Sequence, residues 1–358
     1  MSNTMRAALI GAGFISVRGH IPAYQQAKDV EIAAICDVNS DRVAKVAAEI
    51  GIPGAFTDYK DMLATVQPDL VSVCSPNALH CAMACDALEA GAHVICEKPM
   101  CLTSADAERM LAAAKAANRT LTVGHHMRYQ PASVKAHDMI QAGALGEVYY
   151  VKASYLRRSG IPGYGSWFTN RDLAGGGAMM DIGCHMLDLS LWMMGHPKPV
   201  SVSASTYAKF GPLAKGLGTW GADHFGAGSR FDVDDLTTAF VRFENGSTLV
   251  IEASWATHGS QGQNLQIFGT EGGLELNANL FGAESPLHYF SEGADGLCDD
   301  DVPLGDVASR GHQALIPDWV DAIRAGRPPI IQPEHGALVV QIIEAAYKSA
   351  VVGAEVAL

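Results

Sequence analysis

The chain has 358 residues, 48% of them hydrophobic and 18% charged, with a formal net charge of −13. That profile suits a folded, Ala- and Gly-rich α/β protein and argues against a disordered chain, and its acidic field disfavours nucleic acid as a partner. The length is large for a single core, so two domains are expected. No apolar run reaches the roughly 18–20 residues of a membrane helix, so no membrane partner is expected. Met5-Arg6 lead straight into a strand-like stretch, which reads as no cleavable leader. Cys36, Cys74 and Cys96, three of eight cysteines, each close an apolar run. They read as reduced core residues of a cytoplasmic protein.

A strand over residues 6–10 runs into Gly11-Ala12-Gly13-Phe14-Ile15-Ser16, with a helix over 14–26 behind it. Gly11 permits a tight turn, Gly13 lets the main chain approach a pyrophosphate, and Phe14 and Ile15 open the helix whose amides face that anion. Ser16 stands where the dinucleotide fingerprint has its third glycine, and is small enough for helix and strand to pack closely. The strand over 32–36 ends at Asp37, 21 residues beyond Ser16. A carboxylate there accepts from the ribose hydroxyls of adenosine and repels a 2′-phosphate, favouring NAD over NADP. The rival reading is that Asp37 caps the turn before Asn39-Ser40-Asp41.

A helix over 41–50 stops at Gly51, and buried strands over 70–74 and 93–96 flank a helix over 80–90. Ser75-Pro76-Asn77 and His80 follow the first of these strands, at the carboxyl edge where nucleotides bind. His80 as a plain helix-start residue is the alternative. Lys98 lies just beyond the strand over 93–96, and Pro99 keeps it out of any helix. A lysine there donates to a substrate oxygen and stabilises charge growing on it; a solvated loop lysine is the bland reading. A helix over 104–117 and a strand over 121–123 complete a doubly wound parallel sheet.

Beyond about residue 130 the pattern changes to strands over 148–155, 200–206, 237–243, 248–254, 265–268 and 274–276. Glu244-Asn245-Gly246-Ser247 and Glu271-Gly272-Gly273 read as hairpin turns, so the second half is an α+β domain with an open, mostly antiparallel sheet. Helices flank it over 180–194, 311–325 and 335–351. Gly175-Gly176-Gly177 lead into the first of these, where Asp181, His185 and Asp188 share one helical face. Three titratable groups on one stripe are costly to bury without a purpose, and an imidazole with a near-neutral pKa accepts a hydroxyl proton. His80 with Cys81 and Cys85, and Cys184 with His185, lack the paired spacing of a zinc site, so no metal is expected.

These segments resemble the Gfo/Idh/MocA family of nicotinamide-dependent oxidoreductases from Arg6 to about Val351. The carriers are Glu97-Lys98-Pro99, the glycine run with Asp181-x-Gly183-x-His185-x-x-Asp188, the Glu334-His335-Gly336 helix, Gly11-Ala12-Gly13, and Ser75-Pro76-Asn77 with His80. The resemblance implies an N-terminal Rossmann domain, here 1–127, and a C-terminal substrate and oligomerisation domain, 128–358, whose last helix packs back on the first. Its open sheet implies a homodimer or homotetramer. It also implies Lys98, Asp181 and His185 at the reacting carbon, Glu97 near the nicotinamide ribose, and Arg128 as a retained cofactor-side arginine. His126 stands where many relatives carry asparagine, and would adjust substrate choice. The segment from Arg157 to Phe168 is similar to a substrate-facing loop of sugar- and cyclitol-acting members. There Arg158 would bind hydroxyls while Tyr164 and Trp167 stack on a ring; a loop whose aromatics merely pack is the rival.

The expected activity is NAD-dependent oxidation of a secondary ring hydroxyl of a sugar, glycoside or inositol. Rivals are a glycosidase-like enzyme that oxidises the ring transiently and a non-catalytic sugar sensor.

Overall fold

The computed structural model describes residues 4–219, 229–278, 287–294, 296–304 and 310–358. Two compact units emerge: Met1–Tyr129 with Ala308–Val340, and Gln130–Val307 with Gln341–Leu358.

In the first unit six strands pair in parallel: β1 (Met5–Ile10), β2 (Val30–Cys36), β3 (Gly54–Phe56), β4 (Leu70–Val73), β5 (His93–Cys96) and β6 (Leu121–Val123). Their order is β3-β2-β1-β4-β5-β6. Their near-continuous apolar runs suit strands covered on both faces. The intervening helices are α1 (Ile21–Gln26), α2 (Ser40–Ile50), α3 (Tyr59–Val66), α4 (His80–Glu89) and α5 (Ser104–Ala117). A wide π turn over Ser16–His20 leads into α1. Asn39, Asp58 and Thr103 cap α2, α3 and α5 by accepting from first-turn amides. Gly11 has φ +104°, and a Cβ there would lie 2.5 Å from the Cys74 carbonyl oxygen, so only glycine fits where β1 turns beside β4.

The second unit holds α6 (Pro131–Gln141), β7 (Val148–Leu156), α7 (Arg171–Ala174), α8 (Cys184–Met193), β8 (Pro199–Tyr207), β9 (Leu236–Phe243), β10 (Thr248–Ser254), β11 (Gly262–Gly269), β12 (Gly272–Ala278), β13 (Leu287–Gly293), β14 (Gly296–Asp301) and β15 (Val356–Ala357). The nine strands order as β14-β13-β12-β11-β7-β10-β9-β8-β15. All neighbours are antiparallel except β7 and β10, which run parallel with Leu156 opposite Ser254. Asn245-Gly246 sits in the β9–β10 turn, with Gly246 at φ +84°. The β11–β12 turn is Thr270-Glu271, and the glycines expected in it, Gly272 and Gly273, already belong to β12.

α9 (His312–Ala325) falls in the first unit, while α10 (Pro333–Val352) contributes residues to both. Thr122 on β6 donates to the Ile331 carbonyl (2.7 Å), fastening this late segment to the parallel sheet. Trp319 on α9 is 1% exposed, and its indole N–H has no hydrogen-bond partner among the described residues. A buried donor without a partner is a liability that phenylalanine removes while keeping most of the ring. Trp319→Phe should therefore shift stability by less than about 1 kcal/mol, whereas Trp319→Ala should cost about 3–5 kcal/mol in urea unfolding.

Candidate active site

The carboxyl ends of β1, β2, β4 and β5 bring one set of side chains forward. The position a Cβ would take on Gly13 lies in open space, so the loop main chain is bare where a pyrophosphate approaches. Phe14 is 58% exposed beside it, Ile15 is half-buried, and the Ser16 hydroxyl ties back to the Gly11 carbonyl at 2.6 Å. Asp37 Oδ2 accepts from the Ala12 amide (2.9 Å), and Oδ1 from the Asn39 amide (2.9 Å). The carboxylate thus braces the glycine loop and caps its own turn, with the Arg42 guanidinium 3.5 Å from Oδ2.

Ser75, Pro76 and the buried Asn77 follow β4. His80 staples this loop: Nε2 lies 2.9 Å from the Ser75 carbonyl and Nδ1 2.8 Å from the Pro99 carbonyl. Burial lowers its pKa against the pull of those two acceptors. Both ring nitrogens face main-chain carbonyls, so His80 sits between the segments that follow β4 and β5. Glu97 is 5% exposed, and its Oε1 faces Nε2 of His20 (2.9 Å) and of His312 (2.7 Å). Burial alone would raise its pKa, but His312 beside it and hydrogen bonds from both imidazoles hold it well below the usual carboxylate range. Oε2 accepts from the Lys98 amide at 3.1 Å, and Lys98 itself is half-buried.

His126 stacks on His312, with ring centroids 4.4 Å apart. Burial, with His312 alongside, pushes its pKa down to about 3, so it is neutral at physiological pH. Arg128 is buried, its guanidinium 3.2 Å from Nδ1 of His335.

In the second unit α8 is preceded by a π turn over Met179–Gly183 that carries Asp181. The regular helical spacing assumed for Asp181, His185 and Asp188 therefore starts only at Cys184. His185 is 8% and Asp188 1% exposed. Asp181 Oδ2 accepts from the Trp255 indole N–H at 2.9 Å. Trp255 follows β10 directly, and Arg157 follows β7, its parallel neighbour. Arg157 donates to the Tyr155 hydroxyl (3.0 Å). Burial opposes its charge, but Tyr155 and the Asp181 carboxylate raise its pKa. Arg157, rather than the exposed Arg158, stands within electrostatic reach of Asp181. Tyr164 is buried against Phe231 (5.8 Å between centroids) and donates to the Gly211 carbonyl at 2.9 Å. Trp167 packs on Phe168, with centroids 3.8 Å apart.

The glycine run has a packing cause that the sequence did not disclose. A Cβ on Gly176 would overlap the Tyr347 hydroxyl, and one on Gly177 the Asp234 carbonyl. Asp234 Oδ1 accepts from the Gly177 amide (2.7 Å) and the Tyr347 hydroxyl (2.8 Å); Oδ2 accepts from the Met179 amide (3.3 Å) and Thr237 Oγ1 (2.8 Å). One buried carboxylate thus fixes the start of the helix that bears Asp181 and His185. Asp234, Tyr347, Trp255, Arg157, His20 and His312 carry no local motif, and only an aromatic or basic residue just past a strand end would have flagged Trp255 and Arg157.

Residues 5–125 match the model of an oxidoreductase family with an NAD-binding Rossmann fold, and residues 133–275 match the Gfo/Idh/MocA C-terminal domain. The D-glucoside 3-dehydrogenase of Escherichia coli is 32% identical over 360 residues, covering 100% of this chain and 98% of that protein. The chain belongs to the Gfo/Idh/MocA oxidoreductase family. A levoglucosan dehydrogenase of Pseudarthrobacter phenanthrenivorans is 31% identical over 76% of this chain and 73% of its own length. A levoglucosan dehydrogenase structure in complex with NADH and levoglucosan superposes with a TM-score of 0.85, at 25% identity over 99% of both chains. The aldose-aldose oxidoreductase of Caulobacter crescentus superposes at 0.83, with 26% identity over 99% of this chain and 100% of that one. As a member of this family the protein is an oxidoreductase with an NAD(P)-binding Rossmann domain. The bare main chain at Gly13, the glycine-only turn at Gly11 and the carboxylate at the end of β2 fit that cofactor.

An asparagine cannot accept at its amide nitrogen, so Asp234→Asn leaves two of the four donors without an acceptor. It should lower stability by about 2–3 kcal/mol in chemical denaturation.

Proposed function

We propose that the protein is an NAD-dependent dehydrogenase that oxidises a secondary ring hydroxyl of a pyranose or glycoside to a ketone. The carrying observation is the end-to-end match to a D-glucoside 3-dehydrogenase, together with Lys98, Asp181 and His185 at the positions the family motif assigns to the reacting carbon. Sugar-directed relatives by name, the levoglucosan dehydrogenase among them, support the substrate class.

In this reading the Lys98 ammonium donates to the substrate oxygen and stabilises negative charge growing on it as the O–H bond breaks. His185 accepts that proton. Asp181, one oxygen held by Trp255, orients the imidazole or grips a neighbouring hydroxyl. The loop at Gly11 and Gly13 with Asp37 would hold the dinucleotide, which when bound would supply the acceptor for the hydride leaving the carbinol carbon. Asp37 accepts from the adenosine ribose, and its charge disfavours a 2′-phosphate even with Arg42 nearby. Glu97 and Arg128 support the cofactor side, His126, Arg158 and Trp167 border the sugar, and Tyr164, buried with its hydroxyl on the Gly211 carbonyl, backs their loop. The outward face of the nine-stranded sheet, with Tyr150 stacked on Phe268 at 5.2 Å, serves self-association into a dimer or tetramer.

The absorbance of reduced nicotinamide, followed against a panel of glycosides, aldoses, polyols and inositols, tests the substrate class directly. Glycosides should give the highest kcat/KM, and turnover with none of the panel would remove the reading. Lys98→Ala and His185→Ala should each lower kcat at least about a hundredfold, with the Kd for NADH, read by its fluorescence, unchanged. NAD should exceed NADP in kcat/KM by about tenfold or more, a ratio that Asp37→Ser narrows.

A further inference from the structure

The tripeptide Glu97-Lys98-Pro99 is gripped on both sides of its lysine by buried histidines from three separate segments. Ahead of it, Glu97 Oε1 faces His20 Nε2 (2.9 Å) and His312 Nε2 (2.7 Å), while Oε2 accepts from the Lys98 amide (3.1 Å). Behind it, His80 Nδ1 lies 2.8 Å from the Pro99 carbonyl.

The protons in this cluster can be assigned. Glu97 is ionised and has none to give, so both facing Nε2 atoms must carry one. On the far side of His20, Ser72 Oγ lies 2.8 Å from Nδ1 and 2.8 Å from the Tyr24 hydroxyl. Tyr24 is fully buried, and burial raises its pKa so that it keeps its proton. Tyr24 then donates to Ser72, Ser72 to His20 Nδ1, and His20 Nε2–H to Glu97, each group using its proton once. Gly124 closes the cluster, because a Cβ there would sit 2.7 Å from Glu97 Oε1. His126, itself neutral, stacks on His312.

We infer that His20 and His312 are positioning residues: their Nε2–H groups lock the Glu97 carboxylate, whose other oxygen fixes the main chain that bears the Lys98 ammonium. This rests on the reading of Lys98 as the lysine that holds the substrate oxygen. His20 ends the π turn behind the glycine loop, so the same segment that carries the dinucleotide fingerprint also reaches the lysine strap.

Glutamine places an amide nitrogen near the position of Nε2, whereas asparagine places it near Nδ1, which lets the donor be moved without emptying the site. In the full-length enzyme with NAD and the best glycoside of the panel, His312→Gln and His20→Gln should keep kcat within about threefold. His312→Asn and His20→Asn should lose about tenfold to a hundredfold in kcat with little change in KM. Trace labelling of Lys98 by an amine-reactive reagent, read by mass spectrometry without substrate, should change rate in the Asn variants and not in the Gln variants. Equal losses in Gln and Asn variants, or Lys98 labelling unchanged in both Asn variants, would overturn the inference. A stoichiometric metal ion on the wild-type protein would overturn it too, since an ion between these three ligands would replace the two shared protons. Should Lys98→Ala turn over normally, the functional reading falls, and the labelling still decides the positioning. Should Lys98→Ala be inactive while the Asn variants are fully active, only the positioning falls.

Discussion

Parallel strand pairing is the constraint from which the site follows in each unit. Parallel neighbours end at the same edge, so whatever follows them in sequence is delivered to one rim. In the first unit that edge receives Gly11 after β1, Asp37 after β2, Ser75 after β4 and Glu97-Lys98 after β5. Among the described strands of the second unit only β7 and β10 pair in parallel; Trp255, after β10, donates to Asp181, and Arg157, after β7, lies within electrostatic reach of it. Among the described strands, Asp181 thus meets the sheet where two neighbouring strands end together.

Buried carboxylates are then held in place by directed donors. Glu97 receives two imidazole N–H groups and one amide; Asp234 receives two amides and two hydroxyls. Each arrangement replaces water around a buried carboxylate with protein donors, and for Glu97 these favour the charged form. The two differ in purpose. Asp234 touches the first residues of a helix and shapes main chain, while Glu97 sits beside a lysine and shapes the local field as well as the chain. Asp37, at a half-buried position, braces the Ala12 amide and caps its own turn.

Much of this was legible in the sequence, and the reason is locality. The strand ends at Cys36, Val73 and Cys96, the helix following Ser104 and the Asn-Gly turn at Gly246 are set by residues adjacent in the chain, and each lies where the pattern put it, within about a residue. The short β3, the polar-faced α3 and α6, and the β13–β14 pair escaped notice, because brief or weakly apolar elements depend on tertiary packing that periodicity does not encode. The glycine run before Asp181 was visible as a motif but not as a cause: its need for glycine comes from Asp234 and Tyr347, far away in sequence. Tyr164, read as a stacking residue or a packing one, is buried with its hydroxyl bound to the Gly211 carbonyl.

His20 and His312 mark the limit of that legibility, and the limit is physical. They reach one oxygen of Glu97 from 77 and 215 residues away, so no window of sequence contains the trio. A lone histidine is ordinarily a satisfied core residue; what gives the pair meaning is the shared acceptor and the lysine next to it. A motif such as Glu97-Lys98-Pro99 is local in the chain, whereas the groups that hold it still are free to come from anywhere the fold brings close. The hydrogen bond that the Lys98 main-chain N–H donates to Glu97 Oε2 joins the two classes, since it turns a long-range histidine clamp into a constraint on the residue the local motif names.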